Sequence, residues 1–358
     1  MQKPSRRDVL TLMGAGTLAI AGLGAGLRPA RAAGTVTVLN WQGYGTDEKW
    51  AVEAFKEKTG IEVVHDYYNA ESEMLTKLRT NPGAYDVVVV NSARTQQATA
   101  EDLLDAIDLS KVPNAAGVPA KLADHPNFTV DGEHYGVPWV WGMNALAVRD
   151  GRPRPDSYGA LADPAYAGKV GLFDDAVTAV AIGAFMTGQD MNDPKDLKSA
   201  GDWLKALKPN VKTIWTSEDQ WNKAFSAGEF DLSVYWSGAS VRSKRNFKLP
   251  VEFVVPKEGA VGWLDTLAIP ATSENKDSAL AFINYMIDPA FYFDWATKVG
   301  APASANTAAM DKLPADDLNR KVHDAAYLDT MTIMAPQPDE RREAFSNLWQ
   351  EVKASYAG

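Results

Sequence analysis

The chain has 358 residues, with 36 basic and 46 acidic side chains, a net charge of −10 and no cysteine. The acid excess argues against nucleic acid or an anionic membrane surface as partner and suits the collection of cations. Without cysteine there are neither disulfides nor thiolate chemistry, and the length predicts two domains with ample core.

Residues 1–32 read as an export address. Arg6-Arg7 precede a weakly apolar stretch at 11–27, and Ala30-Arg31-Ala32 supplies the small residues a signal peptidase requires. This is the twin-arginine pattern, with cleavage expected after Ala32 and the periplasm as destination. Removing the segment takes away five basic groups and one acid, which leaves 31 basic against 45 acidic residues.

Strand and helix then alternate. The β-branched run at 35–40 predicts a buried strand. A helix is expected at 47–58, with Thr46 as N-cap and Gly60 just past its end. A strand at 61–68, a helix at 71–80 and a buried strand at 85–90 follow, giving a parallel sheet with helices on both faces. The pattern recurs with strands at 169–173, 212–215 and 232–236 and helices near 177–188, 195–207 and 218–227. Two extended stretches, 137–148 and 262–270, read as strands crossing between two α/β lobes, with hinges around Trp141-Gly142 and Leu264-Asp265. From 275 onward the chain reads as mostly helical.

Catalytic signals are sparse. His65, His125, His134 and His323 have no partner four residues away, so isolated solvent-facing or strand-end histidines are expected and no metal site. No glycine-rich phosphate loop follows a strand, and Gly-x-Ser-x-Gly does not occur. Neither a catalytic residue nor a cofactor is therefore expected. Asp174 and Asp175 are adjacent at a strand end and should point in different directions. A secreted hydrolase using Asp174, Asp175 or Asp265 would need a second carboxylate about 5–10 Å away across an open cleft, and is the remote alternative.

Aromatic and acidic residues gather instead at the carboxyl ends of the expected strands, where ligands settle in open α/β sheets. Trp41 and Tyr44 follow the first strand, Asp174 and Asp175 follow 169–173, Trp236 ends 232–236, and Trp263 and Asp265 lie on the second crossing stretch. A tryptophan face attracts a cation by about 0.5–2 kcal/mol. A carboxylate adds a charge-assisted hydrogen bond worth about 1.5–3 kcal/mol. Two or three of each suffice for the roughly 8 kcal/mol of a micromolar site after the cost of fixing the ligand. The pattern points to an amine held in an aromatic box.

Asn40-Trp41-Gln42-Gly43-Tyr44, Tyr85-Asp86-Val87-Val88-Val89, Tyr135-Gly136-Val137-Pro138-Trp139-Val140-Trp141-Gly142, Tyr235-Trp236-Ser237-Gly238 and 262–270 (GWLDTLAIP) occur in that order. The set resembles the spermidine/putrescine-binding proteins of bacterial ABC importers and spans nearly the whole chain after residue 32. The resemblance implies a type II periplasmic-binding fold, two α/β lobes joined by two hinge crossings with the ligand cleft between them. Residues 33–140 and 265–308 would form one lobe, and 141–264 and 309–358 the other. By the same resemblance Trp41 and Tyr44 would line the first-lobe wall, Asp175 and Asp265 would bind ammonium groups, Trp236 and Trp263 would sandwich a methylene chain, and Ser92 would add a polar contact. A monomer docking on permease subunits of the inner membrane is expected.

Three positions depart from the family pattern. Gly43 stands where an acid is common, Thr178 where a glutamate is frequent, and Ala301 where an aromatic is usual. Arg94 lies just past the third strand and Arg242 just past Trp236-Ser237-Gly238, so a second reading has one of them bind a carboxylate. The ligand would then be a zwitterionic ω-amino acid such as 4-aminobutyrate.

Overall fold

The β-branched runs fold as strands at the expected places, and turn chemistry sets most of the helix ends between them. The computed structural model describes residues 34–357; the twin-arginine segment and the cleavage site after Ala32 lie outside the described residues. The first part of the chain forms β1 (Thr35–Asn40), α1 (Lys49–Thr59), β2 (Glu62–Tyr67), α2 (Glu71–Thr80), β3 (Val87–Asn91) and α3 (Ser92–Ala100). Three two-residue strands, β4 (Leu104–Asp105), β5 (Thr129–Val130) and β6 (Glu133–His134), with α4 (Ala120–Ala123) among them, lead into the long β7 (Val137–Arg149). Then come β8 (Val170–Phe173), α5 (Ala176–Met186), α6 (Leu197–Ala206), β9 (Val211–Trp215), α7 (Glu218–Ser226), β10 (Leu232–Trp236), α8 (Ser237–Asn246), β11 (Val251–Val254) and β12 (Val261–Pro270). The remainder is helical apart from β13 (Ala303–Ser304) and β14 (Thr332–Ile333), and includes α9 (Lys276–Met286), α10 (Pro289–Lys298), α11 (Thr307–Asp311), α12 (Leu318–Val322), α13 (Tyr327–Thr330) and α14 (Asp339–Ala357).

Local chemistry explains these boundaries. Gly60 ends α1 in the left-handed conformation, φ 75°, its N–H donating to Lys56 O. Thr46 is not the cap expected of it. Its hydroxyl accepts from Asn40 Nδ2 at 2.6 Å, and α1 starts three residues later, after Glu48. α3 and α8 carry little apolar periodicity and were not expected as helices. Both begin where a strand stops, and in α3 the strand's last residue, Asn91, caps the helix by accepting from Ala93 N–H.

Among the described residues the main sheet runs β2-β1-β3-β12-β7-β10-β8-β9. β1, β2 and β3 are parallel, as are β8, β9 and β10, and the crossing strands β12 and β7 pair antiparallel between these two halves. Val36, Val38, Phe55, Trp139, Phe282 and Trp295 lie in the core of the first half, and Leu146, Leu161, Leu172, Ile182, Leu232 and Trp349 in that of the second. No helix among the described residues is long and apolar enough to cross a membrane.

Candidate ligand-binding site

Sheet register brings the carboxyl ends of both halves to one place. β3 runs antiparallel to β12 and ends with Asn91 opposite Asp265; β10 runs antiparallel to β7 and ends with Trp236 opposite Asn144. Asn144 pairs in turn with Val261 of β12. The two parallel halves therefore point at each other across Val261–Asp265, about 13 Å of extended strand. Trp263 lies midway, two residues from Asp265 and hence on the same face of β12. It sits opposite Gly142, where an added Cβ would come within 2.2 Å of the indole, so only glycine lets the ring lie against β7.

Asp265 is the centre of the first-half wall. It is 7% exposed, accepting from Tyr44 Oη at 2.8 Å through Oδ2 and from Asn91 Nδ2 at 2.9 Å through Oδ1. Tyr44 is fixed edge-on to Trp139 and Trp295, with ring centroids 5.5 and 6.3 Å away. Burial pushes the Asp265 carboxyl up to about 6, against the two hydrogen bonds that favour its charged form. Trp41 packs on Tyr68 with centroids 4.6 Å apart.

A second acid joins this wall that the strand-end reading passed over. Glu71 opens α2, four residues after β2 ends, and its Oε2 is buried without a hydrogen-bond partner among the described residues. Burial, and then the charge of Asp265, push it up to about 8; Arg94 and an interaction with the Asn91 backbone N–H oppose the rise. The same rule that singled out Trp41 and Asp175, position just beyond a strand's carboxyl end, applies to Glu71. Asn91 was also passed over, because an amide carries no charge to draw attention.

The second-half wall differs. Asp175 caps α5, its Oδ1 accepting from Thr178 N–H at 2.7 Å. Asp174 turns away and accepts from Trp349 Nε1 and Lys353 Nζ, both at 2.7 Å, so the adjacent acids diverge as expected. Trp236 stands edge-on to Phe173 and Trp215, centroids 5.0 and 5.1 Å away. Ser92 is fully buried and accepts from Asn127 Nδ2 at 3.3 Å.

The two arginines part company. Arg242 is held by Glu218, Nε to Oε1 at 3.0 Å, and by the Gly300 carbonyl at 3.3 Å from Nη1. Its charge is matched within the protein, which counters the expectation that it waits for a ligand carboxylate. Arg94 makes no hydrogen bond or ion pair among the described residues. Burial lowers its pKa, as does the neighbouring charge of Arg342, while Glu71 and Asp175 raise it.

His323 is buried rather than solvent-facing. Its Nδ1 meets the Asn319 carbonyl at 3.0 Å and so carries the proton, leaving Nε2 to accept from the Ser237 hydroxyl at 2.8 Å. Ser237 Oγ also accepts from Met143 N–H at 3.0 Å, tying β7 to α8 beside Trp236. Burial pushes the imidazole down to about 4. No group of three His, Asp or Glu side chains among the described residues is arranged to hold a metal ion.

Comparison with known proteins places this geometry. Residues 50–322 match the profile of the bacterial extracellular solute-binding proteins. The chain is 32% identical over 357 residues to the spermidine/putrescine-binding periplasmic protein of Escherichia coli K12, covering 98% of this chain and 97% of that one. The chain belongs to the bacterial extracellular solute-binding protein family. It is also 24% identical over 368 residues to the putrescine-binding periplasmic protein SpuD of Pseudomonas aeruginosa, covering 94% and 96% of the two chains. In three dimensions it resembles the spermidine/putrescine ABC transporter substrate-binding protein PotD of Streptococcus pneumoniae, with a TM-score of 0.80 and 24% identity over 90% of this chain and all of that one. The expected periplasmic-binding fold is the fold of this solute-binding protein, and its two half-sheets meet at Asp265, Trp263 and Trp236.

Proposed function

We propose that this solute-binding protein captures a diamine or polyamine of the putrescine/spermidine type in the periplasm and delivers it to the permease subunits of an ABC importer. The observation that carries this reading is Asp265, a buried carboxylate with two neutral hydrogen-bond donors and, among the described residues, no cationic partner within bonding distance, beside Trp263 and Glu71. A buried carboxylate without a cation is costly, and an ammonium group supplies what is missing. The names of the relatives, spermidine/putrescine-binding and putrescine-binding, point the same way.

In this reading Asp265 and Asp175 receive ammonium groups from the two walls, Trp236 and Trp263 cover the methylene chain, and Trp41, Tyr44 and Ser92 complete the first wall. Residues 33–140 with 265–308 and residues 141–264 with 309–358 act as lobes that close on the ligand by hinge motion at the β7 and β12 crossings. Export follows the twin-arginine route with cleavage after Ala32, and the protein works as a monomer that binds without catalysing a reaction. A hydrolytic pair of Asp174 with Asp175 is disfavoured by the engagement of Asp174 with Trp349 and Lys353.

A second reading keeps the fold and takes a zwitterion. Arg94, without a bonded partner among the described residues and within the field of Glu71 and Asp175, is the group that favours it; Arg242, bound to Glu218, does not. Calorimetric titration with putrescine, spermidine and 4-aminobutyrate separates the two. The polyamine reading expects micromolar or tighter binding of putrescine or spermidine, weakened at least a hundredfold in Asp265→Ala, in line with the roughly 3 kcal/mol of a buried ionic contact. Binding of 4-aminobutyrate alone, lost in Arg94→Ala, would establish the zwitterion instead.

A further inference from the structure

Resting on the amine-binding reading, we infer that Glu71 is a further ligand-binding residue, which with Asp265 forms one ammonium seat and gives up a proton as the ligand enters. The usual role of an acid in a helix's first turn is to face the helix N-terminus from the surface. Glu71 does not fit that role, because its Oε2 is buried and has no hydrogen-bond partner among the described residues. Asn91 adjoins both acids, its side-chain amide donating to Asp265 Oδ1 and its backbone N–H interacting with Glu71.

The charged and titratable groups facing Glu71 come from each neighbouring element. Asp265 lies on β12 and Arg94 on α3; Tyr44 follows β1 and Tyr68 follows β2. Both tyrosines are held neutral, their pKa values raised first by burial. Arg94 is the one cation in this set, and Arg342 and Asp175 also act on it. Burial and one carboxylate thus oppose ionisation of Glu71, and one arginine only partly offsets them. With its carboxyl pushed up to about 8, Glu71 is protonated in the empty protein at pH 7. An arriving ammonium reverses the balance, because two carboxylates around one cation are stable where two carboxylates alone are not.

The inference is tested by titrating the purified protein with putrescine in phosphate and in Tris at pH 7, buffers whose ionisation heats differ. The difference in observed heat counts protons released. About one proton per putrescine is expected, falling toward none above pH 9, with affinity rising roughly tenfold per pH unit between 6.5 and 7.5 and levelling off above 8. Glu71→Gln should abolish the release and flatten that dependence. The wild-type count needs no variant: tight binding with no proton released overturns the role of Glu71 and leaves the amine reading intact. Release that persists in a folded Glu71→Gln does the same. No binding of putrescine, spermidine or 4-aminobutyrate would overturn the amine reading and this inference together.

Discussion

In the half of the sheet built on β8, β9 and β10, buried charges come with their partners, whereas at the end of β3 they do not. Asp231 accepts from Arg149 Nε at 2.7 Å and from Arg152; Arg242 is clasped by Glu218; Asp174 is held by Trp349 and Lys353. Burial alone would raise Asp231, but the arginine bonds outweigh it and hold its pKa below the usual value. Among the described residues Asp265 and Glu71 have only neutral donors within bonding distance, and both are pushed up. Matched pairs are what a fold needs to keep its own charges buried. Unmatched carboxylates beside tryptophan rings are what a receptor for cations needs. The difference teaches where to look for a ligand: not at the most numerous charges but at those the protein has left uncompensated.

Changes to the compensated half should strike stability first. Asp231→Ala strands two guanidinium groups, and unfolding in urea should show a loss of about 2–3 kcal/mol with putrescine affinity within threefold of wild type. A variant that unfolds like the wild type would remove the contrast. Trp263→Ala should act at the junction, weakening ligand binding about tenfold, for the roughly 1–2 kcal/mol of a desolvated cation–aromatic contact. Calorimetry on the folded variant would read this, and unchanged affinity would take Trp263 out of the site.

The smallest effect is a pH dependence. Asp265 and Glu71 have folded pKa values raised to about 6 and about 8, so their contribution to stability is full below their ordinary carboxylate values and is lost as pH rises through 6 and then 8. His323 acts oppositely. Its folded pKa is lowered to about 4, so its contribution is present above 6.5 and lost as pH falls toward 4. Between pH 6.5 and 8 the acids act nearly alone, and the empty protein should lose about 1 kcal/mol per pH unit. Urea unfolding at several pH values across that window would show the slope; a flat profile would mean that Glu71 is already ionised.

Much of this arrangement was legible in the sequence, and what was not has physical causes. β1 and β10 begin and end at the expected residues because β-branched runs between turn residues admit few alternatives. The two crossing stretches appear as β12 and β7, and it is their antiparallel register, not their existence, that brings Asn91 and Trp236 to either side of Trp263. Register is a property of long-range pairing, which one sequence does not display. For the same reason Arg242 was offered, with Arg94, as a group that could take a ligand carboxylate, since Glu218 lies 24 residues away on another helix. Thr46 has the chemistry of an N-cap but is taken by Asn40. Glu71 drew no attention at all, because the direction of its side chain is set by packing, not by its position in the chain.

The central claim, that the carboxylates at the β3–β12 junction are left uncompensated for the sake of a cationic ligand, is tested most directly by thermal unfolding of wild type and Asp265→Asn with and without putrescine. Asparagine keeps the shape and removes the charge that burial penalises. The account predicts that Asp265→Asn unfolds at a higher temperature than wild type when empty, and that putrescine raises the wild-type midpoint by several degrees while leaving the variant's unmoved. A variant that is less stable when empty, and still stabilised by putrescine as much as the wild type, would show that Asp265 serves the fold and not the ligand.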